Sequence, residues 1–383
     1  CDMPPSGLTT ALDPIMRACG GTWIAHGSGN ADRETVDEQD RIRVPPDRPA
    51  YTLRRVWLSK EEEEGYYYGF SNGALWPLCH IAYTRPHFNV ADWNAYRKAN
   101  EHFAQAVLEE VGDKKAFVFV QDFHLTLLPR LLRDAGRNLI IAQFWHIPWP
   151  NSEAFRICPW QEDILKGLLG NHLLVLHIRY HFTNFLDTVD RAIESRVDRE
   201  KYEVKHGGKN TAVRHFPISI DFQEVSEKAQ QREVEIEMKR LKKSLGIHNE
   251  FIGMGLDRID YTKGIPDRLR AFDRFLERYP EYAKRVVFVQ TGVPSRVHVA
   301  AYKRTNEEID NLIEEINWKY ESDDWKPIID LRGPLPPLTV MALRRLADFA
   351  VVSSLHDGMN LVAKEFVASS VDERGALILS LFT

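Results

Sequence analysis

The fold is decided by residues 251–269, which read Phe-Ile-Gly-Met-Gly-Leu-Asp-Arg-Ile-Asp-Tyr-Thr-Lys-Gly-Ile-Pro-Asp-Arg-Leu. The first five residues, Phe251–Gly255, form a short apolar run that suits a strand buried on both faces. A loop follows, and Pro266 is a residue type that favours the first turn of a helix. The stretch therefore predicts a strand, a loop and a helix in succession, which is the repeating unit of α/β folds.

Similar apolar runs recur along the chain and predict further buried strands. These runs are Ala116–Val120, Leu139–Phe144, Leu173–Leu176, Arg285–Gln290, Phe349–Ser353 and Ala376–Leu379. Between them, one stretch with helical spacing of apolar residues and two very polar stretches predict helices at Asp92–Glu110, Val225–Leu245 and Glu307–Lys319. The alternation predicts an α/β protein with two Rossmann-like domains facing each other across a cleft. A boundary near Phe216–Asp221 divides them into residues 1–218 and 219–383.

The composition of the 383 residues excludes several classes of protein. A net charge of −5 gives no overall reason to expect a nucleic-acid or anionic-membrane partner. The longest apolar runs are strand-sized and fall well short of the roughly 18 residues of a membrane-spanning helix. Four scattered cysteines without a Cys-x-x-Cys pair indicate a reducing, cytoplasmic location and no zinc site.

Two cations follow the strand of the opening stretch. Arg258 and Lys263 are expected at the carboxyl end of that strand, beside the N-terminus of the next helix. An anionic group bound there would meet two positive charges and free backbone N–H groups, which suits a phosphate. The alternative is a surface salt bridge to Asp257 or Asp260.

A second candidate segment is residues 353–365, where a predicted strand runs into a glycine-containing loop and then a helix beginning near Asn360. Asp357 could accept hydrogen bonds from sugar hydroxyls, and Glu365, one to two turns into the helix, could reach a ribose diol. The alternative is an ordinary strand–helix turn with an Asn or Asp cap.

Four other segments are candidates: three follow predicted strands with a polar side chain, and one is a cluster of aromatic residues. His146 follows the strand Leu139–Phe144 and could bond a substrate hydroxyl, although a lone histidine is often structural. Asp122 and Arg296 also follow predicted strands. The aromatic segment 65–77 could form a sugar-stacking wall or simply part of the core.

Five motifs follow one another along the chain. They are Tyr-Tyr-Gly-Phe-Ser-Asn…Leu-Trp-Pro (67–77), Asp-Phe-His-Leu (122–125), His-Ile-Pro-Trp-Pro (146–150), Gly-Leu-Asp-Arg-Ile-Asp-Tyr-Thr-Lys-Gly (255–264) and Asp-Gly-Met-Asn-Leu-Val-Ala-Lys-Glu (357–365). Together they resemble the trehalose-6-phosphate synthase family, retaining glycosyltransferases of the GT-B fold. The resemblance covers nearly the whole chain. It also implies that both ends are cut, with a first strand missing before Cys1 and closing helices missing after Thr383.

The resemblance implies roles for thirteen residues. The implied catalytic residues are His146, Arg258 and Lys263, with the two cations on the donor diphosphate and His146 on the transferred glucose. The implied donor-binding residues are Gly7, in a loop that closes over the donor, and Asp357, Met359, Asn360, Leu361 and Glu365. The implied acceptor-binding residues are Tyr67, Trp76, Asp122 and Arg296.

The activity implied by the resemblance is transfer of glucose from a nucleotide-glucose to glucose 6-phosphate, giving trehalose 6-phosphate. Neither a metal nor a cofactor is expected, and the partners expected are small molecules, with a homo-oligomer left open. One alternative is glucosylglycerol-phosphate synthesis from glycerol 3-phosphate. Another is a non-catalytic, sugar-phosphate-sensing regulatory protein. The sequence does not identify the base of the donor nucleotide.

Overall fold

Three β-sheets organise the residues that the computed structural model describes, which are 7–248, 250–296, 299–322 and 324–383. The chain divides into two compact units, Cys1–Pro217 and Ile218–Thr383. This division falls one residue from the boundary predicted between 218 and 219.

The first unit contains two of the sheets. Its strands are β1 (Thr22–His26), β2 (Arg41–Val44), β3 (Tyr51–Val56), β4 (Ala116–Gln121), β5 (Leu139–Phe144), β6 (Leu173–Leu176), β7 (Arg196–Asp198), β8 (Glu203–His206) and β9 (Lys209–His215). They form a three-stranded sheet of order β1-β3-β2 and a six-stranded sheet of order β4-β5-β6-β9-β8-β7. Strands β4, β5, β6 and β9 are parallel.

Helices of very different lengths connect these strands. They are α1 (Gly7–Cys19), α2 (Asp32–Thr35), α3 (Lys60–Glu63), α4 (Trp76–His80), α5 (Val90–Val111), α6 (Leu128–Asp134), α7 (Ser152–Phe155), α8 (Gln161–Leu168) and α9 (Arg179–Ala192). A π-helix, Glu64–Leu75, joins α3 to α4, and a short 3₁₀ turn, Phe123–Leu125, follows β4.

The second unit is a single parallel sheet with helices between its strands. The strands are β10 (Phe251–Ile259), β11 (Val286–Pro294), β12 (Ile328–Arg332), β13 (Phe349–Val352) and β14 (Ala376–Leu379), in the order β12-β11-β10-β13-β14. The helices are α10 (Phe222–Ala229), α11 (Arg232–Ser244), α12 (Ile265–Arg278), α13 (Ala300–Tyr320), α14 (Pro337–Leu346) and α15 (Leu361–Ser369). Short 3₁₀ turns lie at Tyr261–Lys263 and Pro280–Tyr282.

Strand β11 shows why continuous apolar runs belong to this sheet. Val287 and Val289 pack into one hydrophobic core with Met254 of β10. Val286 and Phe288, which alternate with them, pack into a second core on the opposite face. Both faces of the strand are therefore covered, as expected for a parallel sheet with helices on each side.

Most of the predicted strands are confirmed, and β5, β6 and β14 have the predicted bounds. Several predicted bounds were wrong. Strand β11 continues to Pro294 and does not end at Gln290, and α13 begins at Ala300 and not at Glu307. Strand β10 does not end at Gly255 but continues to Ile259, because it pairs with β11 over its whole length. The polar stretch 225–245 is not one helix, because it breaks between α10 and α11 at Gln230 and Gln231.

Candidate active site

The strand order of the second unit places its candidate residues at one edge of the sheet. The order reverses between β10 and β13, and ligands of open parallel sheets bind at the carboxyl ends of such a pair. Arg258 is the penultimate residue of β10, Lys263 lies in the turn that follows, and Asp357 lies in the loop after β13. We call the segments 258–264 and 353–360 the β10–β13 edge.

Lys263 forms an ion pair with Asp357 across this edge. Its Nζ lies 2.5 Å from Oδ2 of Asp357, and the two side chains are only 14% and 11% exposed. Burial lowers the pKa of Lys263, but the negative charges of Asp357 and Asp257 outweigh it, so the pKa is raised overall. The ammonium group therefore keeps its positive charge although it is largely removed from solvent.

Asp357 organises the loop that holds it. Besides Lys263, its carboxylate accepts hydrogen bonds from Ser354 Oγ at 3.1 Å, from the backbone N–H of Gly358 at 3.0 Å and from Asn360 Nδ2 at 3.2 Å. With these partners, the carboxylate fixes both the loop and the lysine. A hydrogen bond to a sugar, as the sequence suggested, would have to share or displace one of them.

A buried arginine that sequence reasoning missed stabilises the β10–β13 edge. Arg268 of α12 pairs with Asp257, and the two side chains are 1% and 3% exposed. Its Nε also donates to Ser353 Oγ at 3.0 Å, and that hydroxyl donates to the backbone oxygens of Lys263 and Gly264, each at 2.9 Å. Arg268 thus connects the β13 loop to the turn that carries Lys263.

Gly264 is placed where no other residue fits. Its φ is +58°, and a Cβ built on it would lie 2.2 Å from the backbone oxygen of Ser353. The close approach lets the turn after β10 pack directly against the loop after β13. Helix α12 then begins at Ile265 with Pro266 in its first turn, which confirms the predicted helix start.

Arg258 has a different environment from Lys263. Its side chain lies on an exposed position of β10, and its positive charge slightly opposes the raised pKa of Lys263. The two cations are therefore near enough to interact, one buried and one exposed to solvent. This arrangement presents positive charge to an anion at the β10–β13 edge.

Helix α15 begins at the same edge. Asn360 caps it, since its side chain accepts from the backbone N–H of Ala363 at 2.9 Å, and Met359 and Leu361 flank this cap. Glu365 lies one turn further along and forms an ion pair with Arg344 of α14. The structure confirms a helix start near Asn360 and adds an arginine partner that the sequence did not reveal.

Arg296 is held within the second unit. Its Nη1 lies 3.5 Å from Oδ2 of Asp260 and 2.5 Å from the hydroxyl of Tyr302, and its side chain is 7% exposed. Asp260 is fully buried and also accepts from Tyr302 at 3.1 Å. An acceptor phosphate, the role predicted for Arg296, would have to compete with these partners.

In the first unit, Asp122 and His146 follow the neighbouring strands β4 and β5. Asp122 has φ 63° and ψ −170°, a region that non-glycine residues rarely occupy and that costs about 1–3 kcal/mol. The backbone N–H of Asp122 donates to the backbone oxygen of Phe144 at 2.7 Å, and this hydrogen bond helps to hold the strained conformation. Its carboxylate accepts from the backbone N–H of His146 at 3.2 Å.

The ring of His146 is stacked and hydrogen-bonded. Its ring centroid lies 4.5 Å from that of Phe144 and 5.3 Å from that of His177, and its Nε2 is 3.0 Å from Gln121 Oε1. Burial lowers its pKa, although the charge of Asp122 partly opposes this. The imidazole is therefore held neutral and oriented beside Asp122.

The aromatic segment forms the π-helix and the start of α4, and much of it is buried, as the core alternative predicted. Tyr67 is half-buried and stacks on His124, with ring centroids 5.4 Å apart. Trp76 is 6% exposed and packs against His80 and Phe123, so it lies mostly in the core. π-Helices are rare and occur frequently at functional sites.

The glycine predicted to lie in a closing loop is instead helical. Gly7 is the first residue of α1, and Ser6 before it lies outside the described residues.

Within the described residues, no group of three or more His, Cys, Asp or Glu side chains could hold a metal ion. None of the helices in the described part of the chain has the length and apolar character of a membrane-spanning segment.

Comparison with known proteins gives consistent matches. The model of glycosyltransferase family 20 matches residues 1–383. The chain is 38% identical to the bifunctional trehalose-6-phosphate synthase/phosphatase of Thermoproteus tenax, over 98% of this chain and 51% of that protein. It is 37% identical to the trehalose-6-phosphate synthase of Mycolicibacterium vanbaalenii, over 99% of this chain and 78% of that protein. The chain thus spans about half the length of the first relative and over three-quarters of the second.

Solved structures match over the whole chain. An E. coli structure bound with UDP-2-fluoro glucose has a TM-score of 0.89 at 29% identity, covering 100% of this chain and 83% of that one. The UDP-forming α,α-trehalose-phosphate synthase of Burkholderia xenovorans, in complex with glucose-6-phosphate, has a TM-score of 0.89 at 27% identity, covering 100% and 84%.

Proposed function

We propose that this chain, which belongs to glycosyltransferase family 20, transfers glucose from a nucleotide-glucose to glucose 6-phosphate and so makes trehalose 6-phosphate. Its fold is GT-B, the fold of the trehalose-6-phosphate synthases it resembles. The observation that carries the proposal is the pair Arg258 and Lys263 at the β10–β13 edge, beside the N-terminus of α15. Positive charge at that place suits a nucleotide diphosphate.

Loss of the nucleotide diphosphate is the demanding step. The bond between C1 of glucose and the phosphate oxygen breaks, and the departing phosphate gains negative charge. Arg258, Lys263 and the N-terminal N–H groups of α15 would stabilise that charge, because such donors are already oriented before the reaction. Asp357 keeps Lys263 charged and in place, so we assign it to positioning the lysine as well as to donor contact.

The acceptor hydroxyl would attack C1 from the face that the phosphate leaves. A bond forms between that oxygen and C1, and the hydroxyl proton passes to an oxygen of the leaving phosphate. The configuration at C1 is retained, and no side-chain carboxylate has to act as a nucleophile. Neither Asp122 nor Asp357 is assigned that role.

The first-unit residues would bind sugars. We propose that His146, neutral and held by Gln121, hydrogen-bonds the transferred glucose. Tyr67, Trp76 and Asp122 would contact the acceptor. Arg296, which belongs to the second unit, would bind the acceptor phosphate in place of its partner Asp260.

A donor-by-acceptor assay tests the proposal. UDP-, GDP- and ADP-glucose are each combined with glucose 6-phosphate or glycerol 3-phosphate, and nucleotide release is followed with and without EDTA. We expect the highest rate with glucose 6-phosphate and no loss with EDTA. Preference for glycerol 3-phosphate would indicate glucosylglycerol-phosphate synthesis. Donor binding by calorimetry without any turnover would indicate a regulatory sensor.

The cellular location is also a proposal. Cys79 and Cys158 are buried free thiols and Cys19 is an exposed free thiol, which is compatible with a reducing compartment such as the cytoplasm.

A further inference from the structure

The ion pair between Arg344 and Glu365 has no part in the chemistry described above. Arg344 lies in the last turn of α14 and Glu365 in α15, and their side chains are 11% and 29% exposed. Nη2 of Arg344 donates to Oε2 of Glu365, a one-point contact, and Nε of Arg344 is a buried atom without a hydrogen-bond partner in the described structure. The other carboxylate oxygen, Oε1, accepts no hydrogen bond from the described residues.

The pair is poorly explained as a device for stability. Burial lowers the pKa of Arg344 in spite of the charge of Glu365, so the guanidinium loses solvation that the single contact does not fully restore. Buried ion pairs of this kind contribute little net stability compared with apolar residues of similar volume. What the pair does provide is a fixed position for a flexible carboxylate, which would otherwise lose rotamer freedom on binding a ligand.

The position of Glu365 indicates which part of a nucleotide its carboxylate could bind. It is the fifth residue of α15, and the first turn of that helix lies at the β10–β13 edge, where Asn360 is bonded to Asp357. One helical turn rises about 5.4 Å, so Glu365 stands one turn from the N–H groups that would face a diphosphate. In a nucleotide diphosphate, the distance from the diphosphate to the ribose hydroxyls is similar to one helical turn.

We propose that Arg344 is a positioning residue that holds Glu365 with Oε1 directed at a ribose hydroxyl, and that it thereby sets the preference for ribonucleotide over deoxyribonucleotide donors. This inference rests on the proposed function and on the donor-binding role that the sequence analysis gives to Glu365. It adds a residue on a different helix and a measurable selectivity.

Arg345 provides a matched control. It is the next residue of α14, its side chain is 14% exposed, and its Nη1 lies 3.1 Å from Oδ1 of Asp372. Both arginines stand in the last turn of α14 and both pair with a carboxylate. Replacing Arg345 therefore removes a similar charge and ion pair without touching Glu365.

The experiment compares UDP-glucose with its 2′-deoxy and 3′-deoxy forms as donors to glucose 6-phosphate. Wild type should prefer the ribonucleotide by at least about tenfold in kcat/KM over one deoxy form, as for one hydrogen bond to a charged group. Arg344→Met should reduce that preference to about threefold or less through KM, with kcat changed less than about twofold. Glu365→Gln should lose it as well, and the double variant should lose no more than Glu365→Gln alone.

Arg345→Met should keep the wild-type preference. Calorimetry of UDP and 2′- or 3′-deoxy-UDP should show the same pattern in Kd, which separates recognition from turnover. If Arg344→Met does not fold, Arg344→Gln replaces it and should also lose the preference.

Two results overturn the inference alone: a wild type that uses the ribose and deoxyribose donors equally well, or an Arg344 variant that keeps the wild-type preference. If wild type releases no nucleotide from any of these donors and binds none of them, the proposed function itself fails.

Discussion

At the scale of single residues, the two cations of the β10–β13 edge have different environments although both were predicted together. Lys263 is largely buried and held by Asp357, whereas Arg258 is exposed on its strand. The lysine is thus preorganised by its partner, whereas the arginine is exposed to solvent. Both would act on the charge that develops as the diphosphate leaves.

Arg258→Ala should reduce kcat by about 10²-fold or more while the protein stays folded, because it removes a donor that acts in the transition state. Arg270→Ala is the control, since Arg270 is an exposed arginine of α12 that pairs with Glu308. Steady-state kinetics with UDP-glucose and glucose 6-phosphate measure both variants. Unchanged kcat in a folded Arg258→Ala protein would reject the role given to this residue.

His146 predicts a pH effect with a definite sign. Burial lowers its pKa in the folded protein, so the unfolded chain binds this proton more readily once the pH falls below the usual value near 6.5. Wild type should therefore lose stability as the pH falls from about 6.5 to 5, and His146→Gln should lose less. Urea unfolding midpoints at several pH values measure this. Equal losses in both proteins would contradict the assignment.

Sequence reasoning found residues at strand ends but missed their partners. Lys263, Asp357 and His146 were predicted because each follows an apolar run, and the structure places them at carboxyl ends of parallel strands. Arg268 and Arg344 were missed because each contacts its partner through space from a different element. No local pattern separates such an arginine from an ordinary polar residue of a helix.

At the scale of elements, the turn between β10 and α12 depends on Gly264. Gly264→Ala should lower the free energy of unfolding by about 1–2 kcal/mol from the positive φ, and by a further ~1–3 kcal/mol from the clash with Ser353. Gly246→Ala is the control, because its φ is +67° and no atom lies within 4 Å of a built Cβ. Denaturant unfolding of both variants gives the difference. Equal losses would show that the close approach is not a constraint.

The buried pair beneath the same turn predicts a non-additive result. Arg268→Met should destabilise the protein by about 3–5 kcal/mol, because it leaves the carboxylate of Asp257 buried without its charge partner. Adding Asp257→Asn should restore much of that loss, since the buried charge is then gone. Unfolding of both variants tests this, and a double variant less stable than Arg268→Met would contradict it.

Strands were predictable from the sequence where burial of apolar side chains dominates their packing. Strands β10, β11 and β13 of the second unit pack into hydrophobic cores on both faces, so their runs are visible in the sequence. Strands β1–β3, β7–β9 and β12 are short or mixed in polarity, and they were not predicted. The break between α10 and α11 and the π-helix at Glu64–Leu75 depend on packing and carried no clear sequence signal.

At the scale of the whole molecule, the chain places its predicted residues in two compact units. The first has a mixed sheet in which β4, β5, β6 and β9 are parallel, and the second has an all-parallel sheet. Apart from Gly7, the residues predicted to bind the donor belong to the second unit, and His146 with the aromatic segment belongs to the first. The ordered motifs predicted this division and the family. Ion pairs and side-chain exposure were determined only by the folded structure.

The proposed reaction ends in a product whose stereochemistry can be read directly. Incubation with UDP-glucose and glucose 6-phosphate, followed by proton NMR of the isolated product, tests it. The account predicts trehalose 6-phosphate in which the transferred glucose keeps the α configuration of the donor. A product carrying that glucose in the β configuration, or free glucose with no disaccharide, would contradict it.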